Sequence, residues 1–476
     1  MSTPCVITPP ANIVSFEPFE SLSVVRQERN IPMLFGFRSA NSIDRAGIPM
    51  QNTSERAKVI QVARYAFDTF RTRKASSNRF NQQCLPTTSI HINSNLNRFY
   101  HDNRLKNGAS YGIGENYITW LNQAQFDAIK NNSSLTPSQK KSQFTDMIYT
   151  NMSNLVNTYE LDKKYLHYII SNEDWQHSDA AGFPEHDIEQ IKIFSGYATP
   201  TLAQVLRAQK DYIAECFKAA YDAFPTIASR KFLYFGAYNM EQRATTLEFM
   251  LDIVNYINAK YPNVVHGLMM QAHIGIEDFT ATNAIEDKLR KIEKLVNVAR
   301  NSGFEVSIYE FDHKIFDENF YKNIFQKLDD SGNIIRVGVH RVATDADFIR
   351  QARIYKECVK IFLNQGVCQF QVWDDTDPGS WRNFKYYTHI NVGTATAPNW
   401  RAVRVGDNVN RYPTSNITLR SEMTLFDGNV RPKPCYNEIL SLLKDYVVTD
   451  YNSKKSIFPP YNVLNYRYSD LGSMGD

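Results

Sequence analysis

Two glutamates stand where an apolar run gives way to polar residues: Glu173, closing YLHYIISNE, and Glu310, closing EVSIYE. If a fold brings two such carboxylates face to face, they can divide the cleavage of a glycosidic bond. One donates a proton to the leaving oxygen and the other attacks the anomeric carbon. The division needs unequal pKa values, with the donor kept neutral by burial or neighbours and the nucleophile kept ionised by hydrogen bonds. Asn172 precedes Glu173 and can hydrogen-bond a sugar hydroxyl, and His273 can orient the carboxylate of Glu310. Polar or aromatic residues also come after the other apolar runs: Tyr238 and Asn239, Gln271 and His273, and then Trp373, Asp375, Asp377 and Trp381. Amides and carboxylates for hydroxyl groups, with aromatic faces for pyranose rings, suit a neutral, hydroxyl-rich ligand.

Each of these residues also has a plainer role open to it. A lone glutamate at a strand end is usually a solvated surface group, and a lone histidine is usually a satisfied core residue. Trp373 and Trp381 can be packing residues, and Asp374, Asp375 and Asp377 can form a solvated loop or a weak cation site. The constellation carries the functional reading, not any one member of it.

The elements that must position these groups alternate along the second half of the chain. Short apolar runs at 165–170, 231–235, 264–270, 305–309 and 367–372 read as strands, and helical periodicity at 201–223, 243–260, 282–302 and 344–364 fills the gaps. Such alternation implies a parallel sheet covered by helices. No glycine-rich phosphate loop follows the first strand, which disfavours a dinucleotide-binding open sheet and leaves an α/β chain closed as a (β/α)8 barrel, whose catalytic groups gather at the carboxyl ends of its strands. Earlier in the chain, residues 1–28 read as an irregular proline-bearing leader, IPMLFGF as a strand and 54–73 as a helix. The stretch 74–135 is rich in Asn, Gln and Ser, and only 89–92 and 114–120 read there as strands. The expected organisation is a barrel over 29–447 with an insertion at 383–422 and a tail at 448–476.

Composition narrows the partners. Of 476 residues, 53 are Lys or Arg and 50 Asp or Glu, and a net charge of +3 spread over this length supplies no strong field for nucleic acid or an anionic membrane. No run of about 18 apolar residues predicts a membrane span. The six cysteines form neither a CxxC metal site nor a dense disulfide framework, and Cys358 and Cys368 read as buried thiols. The first residues lack the basic-then-apolar pattern of a secretory signal, so the chain reads as cytoplasmic, as a mature form already cleaved, or as exported by another route, and the sequence does not choose among them. Nothing in the sequence sets an oligomeric state.

Taken in order, the segments at these strand ends resemble glycoside hydrolase family 10, the endo-β-1,4-xylanase family, over about 140–445. YLHYIISNEDW resembles the family's Asn-Glu pair on the fourth strand and EVSIYEFDHKI its TELDI-like segment on the seventh. KFLYFGAYN resembles YINDYN, HGLMMQAHIG resembles GIGLQSH, VWDDTDPGSW keeps the WGxxDxxSW spacing through Trp373, Asp377, Ser380 and Trp381, and TLFDGNVRPKPCY resembles the closing LFDxxxxPKPAY. The resemblance implies a retaining, endo-acting hydrolase of a β-1,4-linked polysaccharide, xylan or a relative. Glu173 is then the acid/base and Glu310 the nucleophile. Asn172, Tyr238, Asn239, Gln271, His273, Trp373 and Trp381 contact substrate, and no cofactor or metal is implied. The two carboxyl groups are then expected about 5–5.5 Å apart, against about 6.5–9.5 Å for an inverting pair.

The chain also departs from the family. SIHINSNLNRF and SYGIGENYITW stand where its second- and third-strand motifs belong without their residues, Gly236-Ala237 replaces an Asn-Asp pair, and Tyr309 replaces a Thr. These departures motivate a second reading, a non-catalytic carbohydrate-binding or assembly protein built on the same barrel. A third is metal-assisted chemistry through His313, Asp375 and Asp377.

Overall fold

The computed structural model describes residues 19–39, 66–67, 69–72, 111–112, 123–159, 167–172, 188–224, 232–274, 284–313, 315, 344–373, 387–391, 400–404, 424–427 and 431–447. The described strands are β1 (Leu34–Ser39), β2 (Thr69–Thr72), β3 (Tyr111–Gly112), β4 (His167–Asn172), β5 (Phe232–Ala237), β6 (Gly267–Met270), β7 (His273–Ile274), β8 (Glu305–His313), β9 (Gln369–Trp373), β10 (Tyr387–Asn391) and β11 (Trp400–Arg404). The helices are α1 (Leu22–Glu28), α2 (Gln123–Asn131), α3 (Pro137–Tyr159), α4 (Ile188–Ser195), α5 (Leu202–Ala223), α6 (Ala244–Lys260), α7 (Ala284–Asn301), α8 (Asp345–Asn364) and α9 (Pro434–Asp445).

The fold is a (β/α)8 barrel. Its parallel ladder runs β2-β1-β9-β8-β6-β5-β4-β3, with β7 extending alongside β8. The first strand pairs with the ninth, Leu34 opposite Gln369 through Arg38 opposite Trp373, so the two ends of the described parallel ladder in sequence lie side by side, as in a closed barrel. The path ends at β2 and β3, neighbours in sequence.

Alternation along the strands divides the apolar residues into two layers. Ile169, Tyr234, Met269 and Tyr309 form a small cluster of their own inside the barrel, while residues such as Leu233, Phe235, Val306, Ile308 and Phe370 join the large core between sheet and helices. Phe235 stacks on Phe217 of α5, and Phe311 lies against Phe370, Tyr355 and Phe362. The inner layer is tight at Gly267, where a Cβ would lie 2.2 Å from the Tyr234 ring, so only glycine fits that step of β6. Helices α5 and α8 start at reciprocal capping boxes, Thr201 with Gln204 and Thr344 with Asp347, each satisfying two otherwise orphaned N–H groups.

Three early segments differ from expectation. A helix, α1, occupies Leu22–Glu28 of the expected irregular leader. Ser21 caps it, Leu22 and Val25 are buried, and the Tyr436 hydroxyl of α9 accepts from the Leu22 N–H at 3.2 Å and donates to the Glu20 carbonyl at 2.8 Å. Within 54–73, Thr69–Thr72 is a strand and not the end of a helix. Pairing with Gly36–Ser39 of β1 overrides the local helical spacing of Phe70, as its flanking Thr residues favour. Inside the expected insertion, β10 and β11 form an antiparallel pair. The strands expected at 89–92 and 114–120 lie outside the described residues. Cys358 and Cys368 are buried free thiols. No helix among the described residues is long and apolar enough to cross a membrane.

Candidate active site at the carboxyl ends of the strands

The rim of the barrel is shaped by irregularities in β8 and β4. Ile308 pairs with Phe370 and Phe311 with Val372, so β8 carries one extra residue between those pairs. The same excess shows on its other side. Two residues lie between Met270 and His273, whereas three lie between their partners Ile308 and Asp312. A bulge of this kind re-aims a side chain. Phe311 packs outward on α8, Tyr309 stays in the inner cluster, and Glu310 between them reaches the imidazole of His273. Strand β4 has a similar shift between Ile169 and Ser171, which brings position 172 opposite Gly236 at the end of the strand.

His273 is reached through a sharp turn. Ala272, just past β6, has φ of +61°, a left-handed conformation costing a side-chain-bearing residue about 1–2 kcal/mol. The turn puts the His273 ring between two carboxylates of β8. Its Nδ1 lies 2.7 Å from Asp312 Oδ2 and its Nε2 3.2 Å from Glu310 Oε2. Both carboxylates are buried, Glu310 with 3% of its surface exposed and Asp312 with none. Burial by itself depresses an imidazole pKa, but here the charges and hydrogen bonds of Asp312 and Glu310 outweigh it and raise His273 from 6.5 to about 9. At neutral pH the ring is therefore an imidazolium that donates from both nitrogens. The Trp373 ring stands edge-on to it, 5.7 Å between centroids.

The other expected residues fall around this centre. Gln271 is buried beside the Ala272 turn, with its N–H donating to the Ala237 carbonyl at 3.2 Å. Tyr238 and Asn239 come directly after β5, and Asn239, at φ +62°, opens a turn whose Gln242 and Arg243 N–H groups donate to its carbonyl. For Asn172 the backbone is placed at the end of β4. Glu173, Trp381, Asp374, Asp375, Asp377 and Ser380 lie outside the described residues, as does the separation of Glu173 from Glu310. His313 sits in β8 with Nδ1 3.2 Å from the Ile274 carbonyl, and among the described residues no cluster of His, Cys, Asp and Glu is arranged to hold a metal ion.

Sequence reading passes over a second layer behind the histidine. Glu241 is fully buried and its Oε1 accepts from the Gln242 amide at 2.7 Å. Burial pushes the Glu241 carboxyl above its ordinary range against the pull of that amide. Lys288 of α7 donates to Gln242 Oε1 at 2.8 Å. The only signal in the sequence is position, a Glu-Gln pair directly after Asn239-Met240 at a strand end.

The sequence profile described as glycosyl hydrolase family 10 matches residues 117–442, more than two thirds of the chain. The chain belongs to glycosyl hydrolase family 10. Solved structures agree on the fold of this family 10 member. Native xylanase 10C from Cellvibrio japonicus aligns at 16% identity over 92% of this chain and 76% of its own, with a TM-score of 0.57. Xylanase B from Clostridium stercorarium F9 aligns at 15% identity over 89% and 99%, TM-score 0.56. Xylanase 10B from Thermotoga maritima aligns at 16% identity over 89% and 98%, TM-score 0.53. No curated protein sequence matches the chain. It is a divergent member of the glycoside hydrolases.

Proposed function

We propose that the protein is a retaining, endo-acting hydrolase of a β-1,4-linked polysaccharide, xylan or a close relative, with Glu310 as nucleophile and Glu173 as acid/base. The observation that carries the reading is the Asp312–His273–Glu310 arrangement at the carboxyl end of β8. A buried carboxylate gripped by an imidazolium, which is gripped in turn by a second carboxylate, has one orientation available to it. That is what in-line attack on an anomeric carbon requires.

In the first step a Glu310 oxygen bonds to the anomeric carbon as the glycosidic C–O bond breaks, and Glu173 gives its proton to the departing oxygen. In the second, Glu173 takes a proton from water, which attacks the same carbon and frees Glu310. Esterifying Glu310 removes one of the two negative charges that hold the proton on His273, so the histidine and the nucleophile are coupled through the cycle. Asn172, Tyr238, Asn239, Gln271, Trp373 and Trp381 supply the contacts to the sugar. One of the aligned structures, a variant of Cellvibrio japonicus xylanase 10C, was solved in complex with xylopentaose. A neutral pentose chain of that kind matches the amide-and-aromatic composition of this rim.

The test is covalent trapping. Incubation with an activated 2-deoxy-2-fluoro xylobioside should add one disaccharide to the intact mass of the protein, on a peptide containing Glu310. Reducing-end release from xylan should disappear in Glu310→Gln. No adduct, together with no release above that variant from xylans, mixed-linkage glucans or aryl glycosides, would overturn the reading in favour of a non-catalytic barrel.

A further inference from the structure

His273 sits on a turn that does not hold itself. Ala272 before it is left-handed at φ +61°, and β7 is a two-residue strand whose partner among the described strands is β8. On the side away from β8 its carbonyl accepts from Gln242 Nε2 at 3.3 Å. Gln242 is itself buried, and its amide is fully engaged. Nε2 has two hydrogens and two acceptors, the His273 carbonyl and Glu241 Oε1, while Oε1 accepts from Lys288. One residue thus ties three parts of the molecule together: the turn after β5, the strained turn after β6, and the first half of α7. A matching strut stands one strand over, where Gln351 Nε2 of α8 donates to the His313 carbonyl at 2.9 Å. The two struts differ in consequence. Gln351 steadies a residue at the end of β8, whereas Gln242 steadies the residue whose ring must reach Glu310 and Asp312 at once.

We infer that Gln242 is a positioning residue: by holding the His273 backbone it sets the imidazole at hydrogen-bond distance from both Glu310 and Asp312, and Glu241 and Lys288 fix the direction of its amide. The inference rests on the reading of Glu310 as nucleophile for its consequence in catalysis, but not for its geometry. Gln242 touches no reacting atom and acts through His273. The buried carboxylate of Glu241 fits this role, because one of its oxygens, Oε1, is spent on orienting the amide.

Among the described residues, the charged and titratable groups facing His273 are Asp312 and Glu310 from β8, with Glu241 and Lys288 behind it. Removing the strut keeps the charges of all four, takes one hydrogen bond each from Glu241 and Lys288, and loosens the fit between the ring and its two carboxylates. The probe is therefore the imidazole itself, followed by NMR in protein labelled at histidine, with His273→Ala assigning the resonance. In the parent, His273 titrates near pH 9. In Gln242→Met, which keeps length and volume but no hydrogen bond, it should move at least one pH unit towards 6.5. The kcat on an aryl xyloside should fall about tenfold with KM changed less than twofold. Lys288→Met cuts the anchor of the amide and also removes a positive charge, whose loss by itself would raise the titration, so a downward shift in this variant, smaller than that of Gln242→Met, reports the lost anchor even if Gln242→Met folds poorly. A His273 titration within 0.2 units of the parent in both variants, whatever their melting temperatures, overturns the inference. A downward shift in a protein that cleaves no glycoside would uphold Gln242 as a positioning residue while overturning the proposed function.

Discussion

Among the described residues, two places hold a cation between two carboxylates, and they are built for opposite ends. On the outer face, Lys260 of α6 donates to Glu215 at 2.9 Å and to Asp211 at 3.0 Å, both on α5. At the rim, His273 bridges Glu310 and Asp312. The outer carboxylates are further saturated by tyrosine hydroxyls: Tyr149 of α3 and Tyr261 donate to Glu215 at 2.9 and 2.5 Å, and Tyr256 donates to Asp211 at 2.5 Å. Burial alone depresses Lys260, yet its two carboxylates more than offset that and hold its pKa above the ordinary lysine value of 10.5. It stays charged across the working pH range, and the cluster is a fixed clamp joining α3, α5 and α6. The rim uses a histidine instead, whose proton leaves near pH 9, and places it at the mouth of the barrel. Similar geometry gives a structural bolt in one place and a titratable support for a reactive carboxylate in the other.

The sharpest way to break this comparison is to remove a carboxylate from the rim. Glu310→Ala should lower hydrolysis of every substrate by about 10⁴-fold or more, the scale on which loss of a nucleophile acts, measured by reducing-end release or aryl glycoside turnover. Near-parental turnover would refute the assignment. Glu173→Ala should be selective. Xylan, with a poor leaving group, should lose about 10²–10⁴-fold, while an activated aryl glycoside loses far less, since only the former needs a proton on its leaving oxygen. Equal losses on both would remove Glu173 from the acid/base role. His273→Ala should leave the circular dichroism spectrum intact and lower kcat, because the ring aligns Glu310 and forms no part of the large apolar core. Unfolding would instead mark it as a packing residue.

The sequence is most legible where burial and periodicity agree. Strands β5, β8 and β9 and helices α5 to α8 fall within a few residues of their apolar patterns, because each strand alternates between the inner cluster and the helix-covered face while each helix shows one apolar stripe. Glu310 and His273 can be grouped because the strand ends of a barrel share one rim; Asp312 joins them through the pairing of β7 with β8. The β8 bulge cannot be foreseen. Its extra residue leaves no compositional mark, and a strict alternation through Glu305–His313 would turn Glu310 away from the face of Tyr309. Strand β2 reads as helix because Ala66 and Phe70 happen to keep helical spacing, and only pairing with β1 decides against it. The Gln242 strut is invisible for a different reason. Its partners, Lys288 and the His273 carbonyl, are 46 and 31 residues away, and a backbone acceptor has no side-chain signature.

The smallest expected effect separates the two sites by pH. A group whose folded pKa is raised stabilises fully below its unfolded value and loses that contribution as pH rises through the folded one. For His273 the window runs from about 6.5 to about 9. For Lys260 it opens only above its ordinary 10.5. At the acid end, burial raises Asp211, but hydrogen bonds from Tyr256 and Lys260 hold it below its ordinary 3.8, so the clamp weakens only as pH falls through that lower value. Lys260→Met should therefore cost about 1–2 kcal/mol, less than a fully buried pair because the lysine is about one-third exposed, and the cost should stay flat from about pH 6 to about pH 9.5. The stability gap between the parent and His273→Ala should instead shrink steadily across that interval. Melting temperatures of the three proteins at half-unit pH steps measure both. A flat gap for His273→Ala would mean that its ring is not held charged by Glu310 and Asp312, while a sloping one for Lys260→Met would mean that the outer clamp titrates where its partners should keep it fixed.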